Sequence, residues 1–190
     1  MVRLLAFAGS ARRDSFNKRL LVSLVEGARA AGAEVTVLDL REWPMPLYDG
    51  DLEDEQGLPD TVVRLKALMR EHDGLLLACP EYNGSITPLL KNTIDWCTRK
   101  QGDEPPLVAL RGKVAGLVSA SPGALGGLRG LVIVRMLLGG QGVHLVPDQV
   151  AVGQAASAFD DDGRVADPRR RAAVEKVGAA TAELARRLQA

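Results

Sequence analysis

Short apolar runs alternate along this chain with stretches in which apolar residues recur every three or four positions. Residues 3–8, through Leu4-Leu5-Ala6-Phe7-Ala8, form the first run and predict a strand. Leu20, Leu21, Leu24, Val25 and Ala28 then share one face of a helix predicted over 15–31, which Gly32 stops. A second strand is expected at 34–39. The segment 41–58, with Pro44, Pro46, Gly50, Gly57 and many acids, reads as a long loop. Val62, Val63, Leu65, Leu68 and Met69 place a helix at 59–71. The wholly apolar stretch 74–79 suits a central parallel strand covered on both faces.

The alternation repeats in the second half. A helix is expected at 87–99, a strand at 113–119, a glycine-rich loop at 120–127 and a helix at 127–138. Val143 to Val146 and Val150 to Val152 flank Pro147, which predicts an extended segment with a break. A polar loop at 153–167 precedes a last helix at 168–188. Five strands alternating with five helices predict an α/β fold. It is a doubly wound five-stranded parallel sheet with helices on both faces, in a single domain spanning 1–190.

Such sheets bind ligands beyond the carboxyl ends of their strands, where the strand order reverses. That rule selects the loops after the first, third and fourth strands. In the first loop, Ser10, Ser15 and Asn17 can donate hydrogen bonds, and Arg12 a charge-assisted one. The helix start behind them offers free N–H groups, so the loop reads as an anion site. The same residues also suit an ordinary helix cap at Asp14 or Ser15.

The second loop is Pro80-Glu81-Tyr82-Asn83-Gly84-Ser85. Gly84 lets backbone approach a flat ring, Asn83 to Ser85 offer N–H groups, and Tyr82 offers a face or a hydroxyl. Glu81 is an acceptor only and is better suited to orienting backbone. A plain strand-to-helix turn would use the same residue types. The third loop, with Ser119, Ser121, Gly123 and Gly126, offers either bare backbone to a ligand or a packing turn. Neither the dinucleotide fingerprint nor the phosphate-loop lysine motif is present. Anion donors, a ring platform and bare backbone together suit a phosphorylated tricyclic such as FMN.

Composition narrows the classes. Lys+Arg and Asp+Glu are equal at 24 each, so no global field favours nucleic acid or a membrane surface. Cys79 and Cys97 have no metal-ligand spacing and sit among apolar residues, as buried thiols in a reducing cytosol would. No apolar run reaches the roughly 18 residues of a bilayer span. The chain enters its first strand without a cationic leader, so a cytoplasmic location is expected. His72 and His144 stand apart from other catalytic residue types and read as structural, which leaves no zinc site or hydrolytic triad. Trp96 and Cys97 are expected in the core or at a subunit interface. The patch 43–48 reads as a subunit contact or as loop packing, and Arg169 to Arg171 as a solvated helix start.

Two segments carry a family resemblance. They are Gly9-Ser10-Ala11-Arg12-Arg13-Asp14-Ser15-Phe16-Asn17-Lys18 and the stretch from Pro80-Glu81-Tyr82-Asn83-Gly84-Ser85 through Lys91-Asn92-Thr93-Ile94-Asp95-Trp96. With them the chain resembles the NADPH-dependent FMN reductases of the flavodoxin-like fold, a group that includes quinone-, chromate- and azo-reducing flavoproteins. The resemblance implies that Ser10, Arg12, Ser15 and Asn17 hold the FMN phosphate. It implies that Pro80, Glu81, Tyr82, Asn83, Gly84 and Ser85 line the ring and ribityl chain, while Ser119, Ser121, Gly123 and Gly126 close the opposite side. It further implies NADPH as hydride donor, with NADH possible, and a ping-pong scheme. The acceptor would be a small molecule: a quinone, free flavin, azo compound or metal oxyanion. No catalytic acid or base is needed from the protein, because the flavin carries the chemistry. A homodimer or homotetramer with the flavin near a subunit boundary is expected. One departure is the apolar helix start at 128–135, where many relatives are more polar. The alternative is an FMN-containing electron-transfer protein serving a protein partner, against which the balanced charge and Arg12 both argue.

Overall fold

The computed structural model describes residues 1–189. In chain order the elements are β1 (Arg3–Ala8), α1 (Phe16–Ala30), β2 (Glu34–Leu38), α2 (Gly50–Gln56), α3 (Asp60–Arg70) and β3 (Gly74–Ala78). There follow β4 (Glu81–Tyr82), β5 (Ser85–Ile86), α4 (Pro88–Thr98), β6 (Val114–Ala120), α5 (Leu128–Gly140), β7 (His144–Val152) and α6 (Pro168–Gln189). Five strands form one parallel sheet in the order β2-β1-β3-β6-β7, the flavodoxin-like arrangement. The order reverses between β1 and β3, so the crevice of this sheet opens where those strands end.

Alternation along the strands divides the core. Leu4, Ala6 and Ala8 of β1 pack with residues of α1 and α6, whereas Leu5 and Phe7 pack with α3, α4 and α5. On the first face the helices touch through bare backbone. A Cβ on Gly27 would overlap the Glu175 carbonyl, and one on Gly178 would overlap the Leu24 carbonyl. Two facing glycines thus let α1 and α6 approach more closely than side chains permit.

Three expectations need correction. The segment 41–58 is not all loop. A short 3₁₀ turn spans Leu40–Glu42, and α2 follows, with Asp49 capping it by accepting from the Asp51 N–H at 3.0 Å. Among the described residues there are therefore six α-helices rather than five. The segment around Pro147 is one edge strand rather than two pieces. Ala115 pairs with Leu145 but Leu117 pairs with Gln149, so the proline lies in a bulge where no ladder bond is required of it. The second loop is a small hairpin, with Asn83 (φ 52°) and Gly84 (φ 81°) as its turn. Asn-Gly favours the primed turns in which both central residues take positive φ.

Isolated side chains resolve as structural. His72 is buried, with one ring nitrogen 2.7 Å from the Leu68 carbonyl and the other 2.9 Å from the Thr36 hydroxyl. Both cysteines are buried and free; burial pushes the Cys97 thiol up to about 12 and raises Cys79 as well. The patch 43–48 packs as a loop: the Pro46 carbonyl accepts from the Asn92 amide and the Trp96 indole, each at 2.8 Å. Trp96 is fully buried. Among the described residues no helix is long and apolar enough to cross a membrane, and no cluster of metal-ligating side chains occurs.

The helix contact makes a direct prediction. Gly178→Ala lowers stability by about 1–3 kcal/mol, because an added methyl must push two backbones apart. Gly139→Ala, in a helix with nothing near the new methyl, raises it by about 0.5–1 kcal/mol. Urea unfolding of both variants measures the contrast.

Candidate functional site

The first loop begins where β1 ends and is held from three directions. The Gly9 N–H donates to the Ala78 carbonyl of β3 at 2.9 Å. The Gly9 carbonyl accepts from the Thr87 hydroxyl at 2.8 Å, and that hydroxyl also caps α4 by accepting from the Leu90 N–H at 3.3 Å. At the far end of the loop, Asn17 is buried and its amide grips one residue of β6. Its Nδ2 donates to the Ala120 carbonyl at 2.8 Å, and its Oδ1 accepts from the Ala120 N–H at 3.0 Å. The start of α1 and the end of β6 are thereby fastened together across the sheet edge.

Between these fixed ends the loop presents donors. The Ser10 hydroxyl oxygen accepts from the Arg12 N–H at 3.2 Å, and the Ser15 oxygen accepts from the Asn17 N–H at 3.3 Å. Each hydroxyl keeps its proton free to donate outward. Among the described residues, the N–H groups of Ala11, Arg13, Asp14 and Ser15 have no protein acceptor. Arg12 makes no ion pair there either; its guanidinium stands 5.8 Å from the centre of the Phe16 ring. Ser15 caps α1, so the positive end of that helix dipole lies at this loop. This donor set has the chemistry to receive an anion.

The hairpin forms the neighbouring wall, and Glu81 fixes it. Its Oε2 accepts from the Gly130 N–H at 3.0 Å, while Oε1 accepts from Arg129 Nε at 3.0 Å and Nη2 at 2.5 Å. Glu81 thus satisfies the start of α5, where Gly127 has no side chain to cap with. Burial works against ionisation of this carboxyl. The Gly130 N–H and the Arg129 guanidinium outweigh it and hold the group below the usual carboxylate range. Glu81 therefore orients backbone, as its acceptor-only chemistry suggests. Beside it, the Arg129 guanidinium lies over the Gly84 turn, so that a Cβ on Gly84 would stand 3.6 Å from its central carbon.

A cleft of about 120 Å³ joins these pieces. Ser10, Arg12, Ser15 and Asn17 line it from the first loop, Pro80, Glu81 and Tyr82 from the hairpin, and Ser121 from the third loop. Asn83, Gly84 and Ser85 lie at the hairpin's tip and second strand, outside the cleft. The other expected residues of the third loop do not reach it. Ser119 is fully buried with its hydroxyl unpartnered, pressed against the backbone of Gly127. Gly126 packs on the end of β7, where a Cβ would come within 2.6 Å of the Val152–Gly153 backbone. The Gly123 carbonyl accepts from the Gly126 and Gln154 N–H groups at 3.2 and 3.3 Å. These three residues shape the loop rather than face the cleft. Thr87 and Arg129 are contributors that loop composition alone does not reveal: one lies past the turn residues, the other in a helix 48 positions from its partner.

A family model for NADPH-dependent FMN reductase matches residues 2–157. An NAD(P)H-dependent FMN reductase of Pseudomonas aeruginosa is 34% identical over 176 residues, covering 92% of this chain and 90% of its own. A quinone reductase of Pseudomonas putida is 34% identical over 163 residues, covering 85% and 83%. Among solved structures, the flavoenzyme NAD(P)H:(acceptor) oxidoreductase FerB of Paracoccus denitrificans superposes with a TM-score of 0.81 at 27% identity, covering 98% of both chains.

Glu81→Gln tests the hairpin brace. At neutral pH the variant is less stable by about 1.5–3 kcal/mol, the worth of a hydrogen bond to a charged group. A carboxyl whose folded-state pKa is depressed stabilises above its unfolded pKa and loses that contribution as pH falls through the folded value. The gap between wild type and variant therefore narrows on acidification below the usual carboxylate range, as paired urea titrations at neutral and acid pH will show.

Proposed function

The chain belongs to the NADPH-dependent FMN reductase family, an oxidoreductase family working with FMN and NAD(P)H, and on that premise we propose that it passes reducing equivalents from NADPH to a small quinone-type acceptor. One observation carries the proposal: uncommitted anion donors on the first loop share a cleft with Pro80, Glu81 and Tyr82 of the hairpin, whose tip at Asn83 and Gly84 stands just beyond it as a backbone platform. The donor set fits a phosphate, and the platform, braced from beneath by Glu81, fits a flat ring. Ser10, Arg12 and Ser15 would hold the FMN phosphate through side chains, and the free N–H groups of the loop would complete the cradle. Asn17, whose side chain is occupied with Ala120, braces that cradle. Pro80, Tyr82, Asn83, Gly84 and Ser85 would flank the ring, with Ser121 opposite. Ser119, Gly123 and Gly126 would keep the third loop in place.

FMN, when bound, supplies the hydride chemistry and relieves the protein of any acid or base. The chain's own part is to orient the ring and leave one face open, first to NADPH, or NADH, and then to the acceptor, in a ping-pong order. Free flavins, azo compounds and metal oxyanions are further acceptors of the same open face. The two core clusters cover the two faces of one sheet, which supports a single domain. The free buried thiols suit a reducing cytoplasm.

A cleft of about 120 Å³ is small beside the roughly 300–1,000 Å³ of ordinary ligand sites. A flavin ring would therefore lie partly on open surface beside the apolar stripe Leu128, Val132 and Met136 of α5, the last two 58% and 73% exposed. We place a second copy of the chain there, in a homodimer or homotetramer that walls the ring in. Met136→Glu then lowers the mass measured by light scattering toward that of a monomer; a wild type already monomeric at micromolar concentration refutes the contact.

The function itself is tested with the purified full chain. FMN added to it gives a bound flavin that NADPH bleaches anaerobically without a partner protein, and benzoquinone restores the colour. Arg12→Ala weakens FMN binding by roughly tenfold to a hundredfold, the equivalent of about 1.5–3 kcal/mol. Failure to bind FMN refutes the proposal. Bleaching that requires an added protein partner favours an electron carrier instead.

A further inference from the structure

The segment 158–166 folds back on itself and is pinned to the flank of α1. Phe159 bridges to Val165, the Asp160 N–H donates to the Arg164 carbonyl at 2.9 Å, and the Ala166 N–H donates to the Ala158 carbonyl at 2.9 Å. Gly163 (φ 82°) makes the turn. Three contacts hold the segment to the helix. The Val165 N–H donates to the Ser23 hydroxyl at 3.1 Å, Arg164 pairs with Glu26 at 2.9 Å, and Arg19 donates to the Asp160 carbonyl at 2.7 Å. Phe159 is thereby carried to the start of α1. Its ring lies parallel to that of Phe16, with 6° between the planes and 6.3 Å between the centres.

This stack leads into the cleft. Phe16 lines the cleft beside Arg12 and Ser15, and the Arg12 guanidinium stands over its ring at 5.8 Å. At the other end Arg19 stands over the Phe159 ring at 5.2 Å. Phe159 itself does not line the cleft. We propose that Phe159 is a positioning residue for the flavin phosphate: it backs the Phe16 ring, and that ring holds the Arg12 guanidinium at the cleft. This inference rests on the flavin reading given above. Arg12 is exposed and stands on a loop, so an anion that captures it must restrict a long, freely rotating side chain. Attraction to a ring face restricts the guanidinium beforehand. It leaves the donors available, since among the described residues Arg12 donates only through its backbone N–H, to Ser10. A ring can hold a cation in place only where the ring is itself held. Phe16 and Phe159 are each half-buried and rest on the core beneath, so the pair forms a fixed shelf that one ring alone would not.

Fluorescence-quenching titrations of the full chain with FMN test the inference as a double-mutant cycle. Phe159→Leu keeps an apolar side chain at the site and removes the ring. It should weaken FMN binding roughly threefold to tenfold when Arg12 is present, the cost of restricting one long side chain. In the Arg12→Ala background the same change should have an effect of less than about 1.5-fold, because the residue it acts through is gone. Phe159→Tyr restores a ring and should bind FMN within about twofold of wild type. Phe159→Ile repeats the cycle with a second ringless side chain, should the leucine variant fail to fold. A loss that persists undiminished in the Arg12→Ala background assigns Phe159 to general packing and overturns the inference. So does unchanged FMN affinity in the single variant, or a tyrosine variant as weak as the leucine one. Failure of the wild type to bind FMN removes the flavin reading instead.

Discussion

The grip of the Asn17 amide on the main chain of Ala120 is the contact on which the site depends. Donor and acceptor sit on one planar side-chain group, and both are answered by one residue of β6. Both bonds are buried, so breaking either strands a polar atom away from water. This pair ties the first helix, and the donor-rich loop before it, to the end of a strand 103 residues away. Without it the loop after β1 and the loop after β6 would share an edge but no register.

The same device recurs around the cleft. Thr87 joins the start of α4 to Gly9, and Glu81 joins the hairpin to the start of α5. In each case a polar side chain satisfies main-chain groups of a distant element. Helix starts are where such groups go unpaired, so the architecture that leaves N–H groups free for a ligand also supplies fastening points for the walls. The distinction between fastening and binding separates Ser10, Arg12 and Ser15, which keep donors to offer, from Asn17 and Glu81, which do not.

Stability and site geometry meet on the other side of the sheet as well. The close crossing of Gly27 and Gly178 seats α6 against α1, and α1 carries the Ser15 cap at its start. The position of the anion donors therefore follows from a backbone contact at the opposite end of the helix. Core packing and cofactor placement are one problem in this fold, because the ligand-facing ends of the helices are aimed by how their middles pack.

Much of this was legible in the residue order. Periodicity placed the strands of the five-stranded sheet and the five long helices to within a residue or two, because a covered parallel strand and an amphipathic helix each impose their own spacing. The strand-end rule then picked the three loops. The sequence was less informative where local chemistry is ambiguous. Helix α2 hides among acids and glycines, and Pro147 looks like a break until the edge of the sheet offers it a bulge. Residue types alone marked Ser10, Ser15, Asn17 and Ser119 alike as polar candidates, whereas acceptor-only chemistry already pointed Glu81 at backbone. Only the folded chain showed that Ser10 and Ser15 face a cleft, that Asn17 is spent on bracing, that the backbone Glu81 holds is the start of α5, and that Ser119 lies buried beneath Gly127. Spacing along a chain specifies which face a residue occupies, whereas the partner that uses up its hydrogen bonds comes from another element and is chosen by packing.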